Sequence, residues 1–171
     1  GAVETFSIDP PLPTGLALDP VTGGISGIAL ETTAPEIHTV TASNVTGETS
    51  FSLIVEVVPP PPCNLSYPET VLILQVEMEM LLLVPTSGCG PVDNYEVLPD
   101  LPQGVHLDAV TGVLSGAPDE ESPATLYEIE ASNDQGHSVV LILITVLPVP
   151  PCDLQYPVGD LILTVGEEMT A

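Results

Sequence analysis

The sequence predicts an all-β protein composed of repeated β-sandwich domains, and three observations support this prediction. The chain of 171 residues contains an internal repeat, in which segments of several residues recur 89 positions later. Short strand-like runs within the repeat are separated by turn-forming residues. The 20 Pro and 14 Gly residues disfavour long helices.

The repeat has the length of a small domain. Cys63-Asn-Leu-Ser-Tyr-Pro68 returns as Cys152-Asp-Leu-Gln-Tyr-Pro157, and Leu12-Pro-Thr-Gly15 returns as Leu101-Pro-Gln-Gly104. A period of 89 residues is too long for a solenoid repeat. The predicted domains are 1–59, which lacks its first two strands, 60–148, which is complete, and 149–171, which holds the first two strands of a further repeat.

The complete repeat contains about seven short strands, bounded by turn signals such as Asp108-Ala-Val-Thr-Gly112. Many short strands at this spacing favour a β-sandwich. The Pro-rich runs Pro59–Pro62 and Pro148–Pro151 are expected to be stiff, extended linkers. The predicted strands are 72–76, 80–84, 94–98, 105–107, 113–115, 125–132 and 138–147.

One string occurs twice, at 12–27 and at 101–116. It reads Leu-Pro-x-Gly-[Leu/Val]-x-Leu-Asp-x-x-Thr-Gly-x-[Ile/Leu]-Ser-Gly, and Ala-Ser-Asn-x-x-Gly and an apolar strand follow it. This pattern resembles the immunoglobulin-like (Ig-like) repeats, related to dystroglycan-type cadherin-like domains, of large extracellular surface proteins. The resemblance implies tandem Ig-like β-sandwich domains outside the cell, used for adhesion or as structural rods, and it implies no reaction.

Two aspartates open matching turns within this motif. Asp19 and Asp108 can each cap the N–H groups of the turn that follows, so we expect them to be turn residues. Calcium ligation is the alternative, because cadherin-like relatives can bind Ca²⁺ between domains. A Ca²⁺ site needs about six to eight oxygen ligands, and no Asp-x-Asp cluster appears at a linker. The expectation is no cofactor, with Ca²⁺ kept as the alternative.

The charge balance excludes several functions. The chain has 24 acidic residues and no Lys or Arg, so its formal charge is −24, although 44% of its residues are hydrophobic. Without cations it cannot neutralise nucleic-acid phosphates, bind anionic membranes through a polybasic patch, or form a P-loop. Apolar runs such as Val139–Ile144 are too short for a membrane-spanning helix, so no membrane insertion is expected in this segment.

The three cysteines occupy two positions of the repeat. Cys63 precedes the first predicted strand of its domain and Cys89 follows the second, so antiparallel pairing would bring them to the same end of the ribbon. We therefore predict a Cys63–Cys89 disulfide, with free buried cysteines as the alternative. Cys152 would then pair with a cysteine outside the segment or in the next chain. Disulfides imply an oxidising, extracytoplasmic location.

Two sequons agree with that location. Asn44-Val-Thr46 lies in a predicted hairpin turn, and Asn64-Leu-Ser66 follows Cys63. Both asparagines are candidate glycosylation sites. A chance sequon remains the alternative at each position.

The last strand of the complete repeat predicts two different faces. Its outward positions Val139, Leu141 and Leu143 are apolar, whereas the first repeat has Ser50, Ser52 and Ile54 there. Exposed apolar stripes commonly mark contacts, so we expect the three to pack against a neighbouring copy or a glycan. The alternative is that an edge loop of the same domain covers them. The predicted core positions are Val140, Ile142, Ile144, Val146, Phe51, Leu53, Val55 and Val57.

The repeat register leaves two hypotheses about how copies join. Gly1 aligns with Gly90 and Ala171 with Leu82, so the chain reads as an excerpt of a longer tandem array. In the alternative, the last strands of one chain complete the open sandwich of its neighbour. Both hypotheses predict a linear fibre, because unpaired sheet edges invite pairing.

The expected function is therefore structural: tandem repeats that build an extracellular filament or a surface appendage. The alternative is an adhesin-type module that binds a glycan or a protein at the cell surface. The expected partners are copies of the chain, end to end and side by side, and covalent glycans, with no nucleic acid. An enzyme is not expected, because carboxylate pairs such as Glu77/Glu79 and Glu120/Glu121 do not recur across the repeats. Zinc ligation is not expected either, because the three His residues lack ligand spacing.

Overall fold

The structure is a computed structural model that describes residues 1–152 and 165–166. These residues form β-strands joined by turns and loops, and they include no helix. The strands are β1 (Thr5–Asp9), β2 (Leu16–Leu18), β3 (Ile25–Gly27), β4 (Thr33–Asn44), β5 (Gly47–Val57), β6 (Pro62–Ser66), β7 (Val71–Gln75), β8 (Thr86–Cys89), β9 (Asn94–Leu98), β10 (Val105–Leu107), β11 (Leu114–Gly116), β12 (Ser122–Asn133) and β13 (Gly136–Leu147).

The repeat read from the sequence is present strand for strand. Strands β1 to β5 correspond to β9 to β13 at an offset of 89 residues. The pairing agrees as well: Thr5 lies opposite Ser43 in β1–β4, and Asn94 lies opposite Ser132 in β9–β12. The register shift near the start of β4 recurs at the same place in β12. Below, β1–β5 are called the first unit and β6–β13 the second unit.

The second unit is a two-layered β-sandwich. Its main sheet has the order β7–β13–β12–β9, in which β7 runs parallel to β13 and the other pairs are antiparallel. The β6–β8 and β10–β11 pairs form the facing layer, where Leu83 bridges to Leu114. Because apolar residues alternate along β13, one side of the main sheet faces this layer.

The core lies between these two layers. Ile142, Ile144 and Val146 of β13 are buried there, and Val140 packs against them, as predicted. Burying one such side chain contributes about 1.5–3 kcal/mol. The Tyr67 hydroxyl donates a hydrogen bond to the carbonyl oxygen of Gly112, which satisfies a buried polar group. Burial raises the pKa of the Tyr67 hydroxyl.

The first unit has the same main-sheet hairpin and a counterpart of the β10–β11 pair, but it lacks the β6–β8 part of the facing layer. Its sheet has the order β1–β4–β5, with β2–β3 as a separate pair. All the apolar side chains buried among the described residues belong to the second unit. The predicted core position is therefore wrong for Phe51, which is 72% exposed, while Leu53, Val55 and Val57 are only half-buried. The reason is that no described strand takes the place of β6 and β8 over this sheet.

The strands ahead of Gly90 differ from the prediction. The sequence predicted two strands, 72–76 and 80–84, whereas the structure has β6, β7 and β8. Only the backbone bridge at Leu83 remains of the predicted second strand. Pro62, predicted as part of a linker, begins β6. The domain predicted in 149–171 lies outside the described residues, except for 149–152 and 165–166.

Candidate assembly surface

The first candidate surface is the uncovered inner side of the first unit. Ile25 is 41% exposed, whereas its counterpart in the second unit, Leu114, is completely buried. Phe51 is 72% exposed, whereas its counterpart Val140 packs against the core. The apolar composition of this sheet face is typical of a buried surface, because the same positions form a core in the second unit. The residues of this inner face are Ile25, His38, Val40, Phe51, Leu53 and Val55, and His38 is the one member that is buried.

The second unit shows what covers the equivalent positions. The backbone N–H of Leu65 in β6 donates to Ser138 Oγ at 3.1 Å. Leu83 and Leu114 exchange two backbone hydrogen bonds, of 3.1 and 3.0 Å. Strand β7 pairs along the outer edge of β13. In the first unit, the described residues supply no strand to the matching edges of β5 and β3.

The second candidate surface is the outward side of the main sheet of the second unit. Val139 and Leu141 are 45% and 48% exposed, and Leu143 is half-buried between its direct neighbours Val71 and Leu126. No described loop covers these side chains, so the alternative of an edge-loop cover is not realised among them. We call Val139, Leu141, Leu143, Val71 and Leu126 the apolar outer face.

Sequence reasoning found only the β13 part of this face. Val71 and Leu126 join it because the strand register places both beside Leu143. The signal for Val71 was present, since Val71 and Ile73 alternate with Leu72 and Leu74. However, strand alternation cannot tell which strands are neighbours. The first unit differs here, because Ser52 opposite Thr39 occupies the place of Leu141 opposite Glu128.

The two motif aspartates are turn residues, as predicted. One carboxylate oxygen of Asp108 accepts the backbone N–H groups of Val110 and Thr111 at 2.9 and 2.8 Å. Asp19 accepts those of Val21 and Thr22 in the same way. These hydrogen bonds favour the ionised form, so the pKa of both carboxyl groups is lowered below its usual 3.8.

We expect the Asp108→Asn variant to lower the melting temperature at pH 7. Because the folded-state pKa lies below the unfolded value, the contribution of the carboxylate is complete above pH 3.8. It is lost as the pH falls through the lowered folded value, so the difference from the parent chain should shrink below pH 3.8. Thermal unfolding followed by circular dichroism from pH 7 to pH 2 measures this.

The control for Asp108 is Glu120→Gln, which removes an exposed carboxylate that accepts no hydrogen bond among the described residues. It should leave the melting temperature nearly unchanged across the same pH range. A difference between Asp108→Asn and the parent chain that grows on acidification would contradict the assignment.

The structure contains the predicted Cys63–Cys89 disulfide, with the two Cα atoms 5.5 Å apart. The strands that carry it differ from the prediction, however. Cys63 lies within β6 and Cys89 ends β8, and these two strands pair with each other. Cys152 is exposed and has no disulfide partner among the described residues.

The two sequons lie in different surroundings. The Asn44 side-chain amide donates to the carbonyl oxygen of Ala2 at 2.8 Å, and its oxygen accepts the N–H and hydroxyl of Thr46. Its counterpart Asn133 donates to the carbonyl oxygens of Pro60 and Pro91. The position is thus a turn residue in both units. Asn64 is exposed, and its amide contacts only the Cys63 sulfur at 3.2 Å, so its nitrogen is the more accessible of the two.

The remaining candidate catalytic and metal-binding residues do not form a cluster among the described residues. In the part of the chain that the structure describes, no three His, Cys, Asp or Glu side chains are grouped to hold a metal ion. His38 is buried, which sequence reasoning missed, and its Nδ1 hydrogen-bonds the carbonyl oxygen of Pro10. The carboxylates of Glu77, Glu79 and Glu120 are exposed. Among the described residues, no helix is long and apolar enough to cross a bilayer.

Comparison with known proteins identifies the repeated unit. Residues 2–58 match the family described as Putative Ig domain (He_PIG). Among solved structures, the extracellular domains 3–5 of Drosophila OTK align over 83% of this chain and 50% of theirs, at 11% identity and a TM-score of 0.51. The immunoglobulin domains 1–5 of Sidekick-1 align over 87% of this chain and 37% of theirs, at 19% identity and a TM-score of 0.41.

A putative alpha-galactosidase from Bacteroides fragilis aligns over 55% of this chain, at 19% identity and a TM-score of 0.42. The chain spans only 19% of that protein's length. No curated protein matches the chain by sequence. The OTK alignment shows an Ig-like fold and nothing about binding.

Proposed function

We propose that this chain, whose residues 2–58 match the family described as Putative Ig domain, is a structural protein. Its Ig-like units would repeat in series along an extracellular filament or a surface appendage. The observation that carries the proposal is the strand-for-strand repeat of β1–β5 as β9–β13. Units that repeat in one chain with a short connection build length.

The linker between the units is fixed to the second unit. Asn133 Nδ2 donates to the Pro60 carbonyl oxygen at 3.0 Å, and the Gly90 N–H donates to that of Pro61 at 3.2 Å. The linker is therefore held by the unit that follows it. Proline also restricts the backbone of these residues. The linker therefore leaves the second unit in a defined direction, which a filament requires.

Composition supports an extracellular location. The Cys63–Cys89 disulfide fits an oxidising compartment, and the absence of Lys and Arg removes all cleavage sites for trypsin-like proteases. The exposed Asn64 is the preferred site for a covalent glycan. A formal charge of −24 makes copies repel one another, so we expect assembly to strengthen with added salt.

The apolar outer face is the proposed side-by-side contact between copies. We expect Leu141→Glu to abolish lateral association of filaments, because it replaces an exposed apolar side chain with a charge opposite Glu128 on an already acidic protein. The fold should survive, since the Leu141 side chain points away from the core and is 48% exposed. Negative-stain electron microscopy measures the association, and circular dichroism measures the fold.

The matched control is Ser52→Glu, which adds the same charge at the equivalent position of the first unit. Ser52 is exposed and lies opposite Thr39, outside the proposed contact, so filaments of this variant should associate normally. Intact lateral association in Leu141→Glu would contradict the contact. Equal loss in both variants would assign the effect to charge alone and would contradict it as well. Single filaments that fail to form from the parent chain would overturn the structural function.

The second candidate function is an adhesin-type module. It is favoured by a groove of about 240 Å³ beside β7, whose lining includes Leu74, Met78 and Met80. Met78 is 59% exposed, so the groove opens to solvent. A glycan array and a pull-down with surface proteins separate the two functions, because a purely structural protein should retain neither class of ligand.

A further inference from the structure

We propose that the groove between β7 and residues 77–83 binds an extended segment of another protein, in which alternating apolar residues are flanked by Lys or Arg. The bound segment adds a strand to the free edge of β7 and places its apolar side chains in the groove. This proposal deepens the second candidate function, on which it rests, because it names the chemistry of the ligand.

The groove lies at an open side of the sandwich of the second unit, between its two layers. Strand β7 is the last strand of the main sheet, because it pairs only with β13 among the described strands. Residues 77–83 belong to the facing layer: the Met80 N–H donates to the Gly116 carbonyl oxygen at 2.9 Å, and Leu83 bridges to β11. No described strand joins β7 to this segment, so a space of about 240 Å³ remains between them.

The lining of the groove is mostly apolar. At its rim, Ile73, Met78 and Leu81 are 70%, 59% and 88% exposed. Two of the three methionines of the chain line the groove, and methionine adapts its shape to different partners. The groove can therefore accept several kinds of apolar side chain. Its floor consists of residues that belong to the core or pack against it, namely Leu72, Leu74, Met80 and Leu83.

The backbone of β7 offers hydrogen-bonding groups along the groove. The Thr70 carbonyl oxygen accepts the Leu143 N–H at 2.8 Å, and the Val76 N–H donates to β13 at 3.0 Å. Because backbone groups alternate in direction along a strand, Val71 and Ile73 direct their N–H and C=O groups away from β13, where no described residue bonds them. Strand β7 also contains no Pro and no charged residue, the features that protect edge strands. Its edge is therefore open to an added strand.

Two carboxylates of the groove select the charge of the ligand. Glu69 precedes β7 and Glu79 follows it, and both are exposed and line the groove. The chain has no Lys or Arg that could neutralise either of them. A second copy would bring the same two carboxylates and a formal charge of −24 to this edge. Charge complementarity therefore favours a different protein whose apolar residues are flanked by cations.

The test uses the full chain and a fluorescently labelled peptide, Lys-Leu-Thr-Leu-Thr-Leu-Lys, whose leucines alternate. Fluorescence anisotropy measures its binding, and hydrogen exchange followed by NMR should show slower exchange of the Val71 and Ile73 N–H groups in the complex. We expect Ile73→Pro to weaken binding about ten-fold, because it removes one outward N–H group from the edge. The bonds between β7 and β13 should remain, since the Ile73 N–H is directed away from β13. Circular dichroism checks the fold.

A second variant tests the charge of the ligand without altering the backbone. We expect Glu69→Gln/Glu79→Gln to lower the affinity about five-fold in about 20 mM salt, and by less in about 500 mM salt, which screens exposed charges. The matched control is Glu4→Gln/Glu48→Gln, which removes two exposed carboxylates from the first unit and changes the net charge equally. Its affinity should stay nearly unchanged. A peptide with Glu in place of both Lys residues should not bind the parent chain.

Binding that both groove variants weaken, and that the control does not, supports the proposal. No binding of the Lys peptide, equal binding of the Glu peptide, or an equal loss in the control overturns it. Val71 and Ile73 N–H groups that are already protected in the free chain also overturn it, since the chain itself or a second copy would then occupy the edge.

The pull-down with surface proteins separates this proposal from the function on which it rests. Capture of a surface protein that persists in both groove variants would refute the groove alone. Peptide binding in the groove together with an empty pull-down would support the groove and contradict the adhesin-type function alone.

Discussion

Leu114→Ala is expected to lower the free energy of unfolding of the second unit by about 2–5 kcal/mol. Leu114 is completely buried between the two layers, and its backbone is bonded to Leu83 on one side. Truncation removes apolar contacts and leaves a cavity that the surrounding strands cannot close fully, because β11 is held in register by β10. Urea unfolding of the full chain, followed by circular dichroism, measures the change.

The matched control is Ile25→Ala, at the same repeat position in the first unit. Ile25 is 41% exposed, so at dilutions where copies do not associate this change should cost roughly 1 kcal/mol or less. The comparison therefore measures how much the covering layer contributes to the unfolding free energy, since the neighbouring motif residues are alike. Equal losses in the two variants would show that the inner face of the first unit is already covered, contrary to the structure.

Removing the disulfide is the other change with a large expected effect. We expect the Cys63→Ser/Cys89→Ser double variant to lose about 3 kcal/mol of unfolding free energy, because the bond closes a loop with a sequence separation of 26. The loss should fall on the facing layer, since the bond joins β6 to β8. Denaturant unfolding of the oxidised parent and the variant measures it.

The control for the disulfide is Cys152→Ser. Cys152 is exposed and unpaired among the described residues, so its replacement should leave the unfolding free energy of the second unit unchanged. A parent chain whose stability does not change on reduction would contradict the structural role assigned to the Cys63–Cys89 bond. A loss in Cys152→Ser as large as in the double variant would contradict the pairing itself.

The strand prediction succeeded where alternation and turn chemistry agree. The predicted bounds 94–98 and 105–107 are those of β9 and β10. Asp108 and Gly112 specify the turn between β10 and β11 through local hydrogen bonds, which need no distant partner. Such features depend on a few consecutive residues, so they can be predicted from the sequence.

The strand prediction failed for segments that form strands only because they pair with another segment. β6 and β8 contain Pro62 and Gly88, which carry no apolar alternation, and they are strands because they pair with each other. The predicted strand 80–84 has the apolar composition but keeps a single bridge, at Leu83. The hydrophobic pattern therefore predicted one strand, 80–84, that is not formed, and it missed two strands, β6 and β8.

The amino-acid order sufficed to establish the repeated all-β unit, its turns and the apolar positions of β13, because each depends on spacing along the chain. The Cys63–Cys89 pair was predicted correctly, but the two strands that bring it together became known only from the structure. Whether Phe51 is core or surface does not depend on spacing, since the same alternation buries Ile142 and leaves Phe51 uncovered. Burial requires a second layer from elsewhere in sequence, and the presence of that layer becomes visible only when the strands are placed in space.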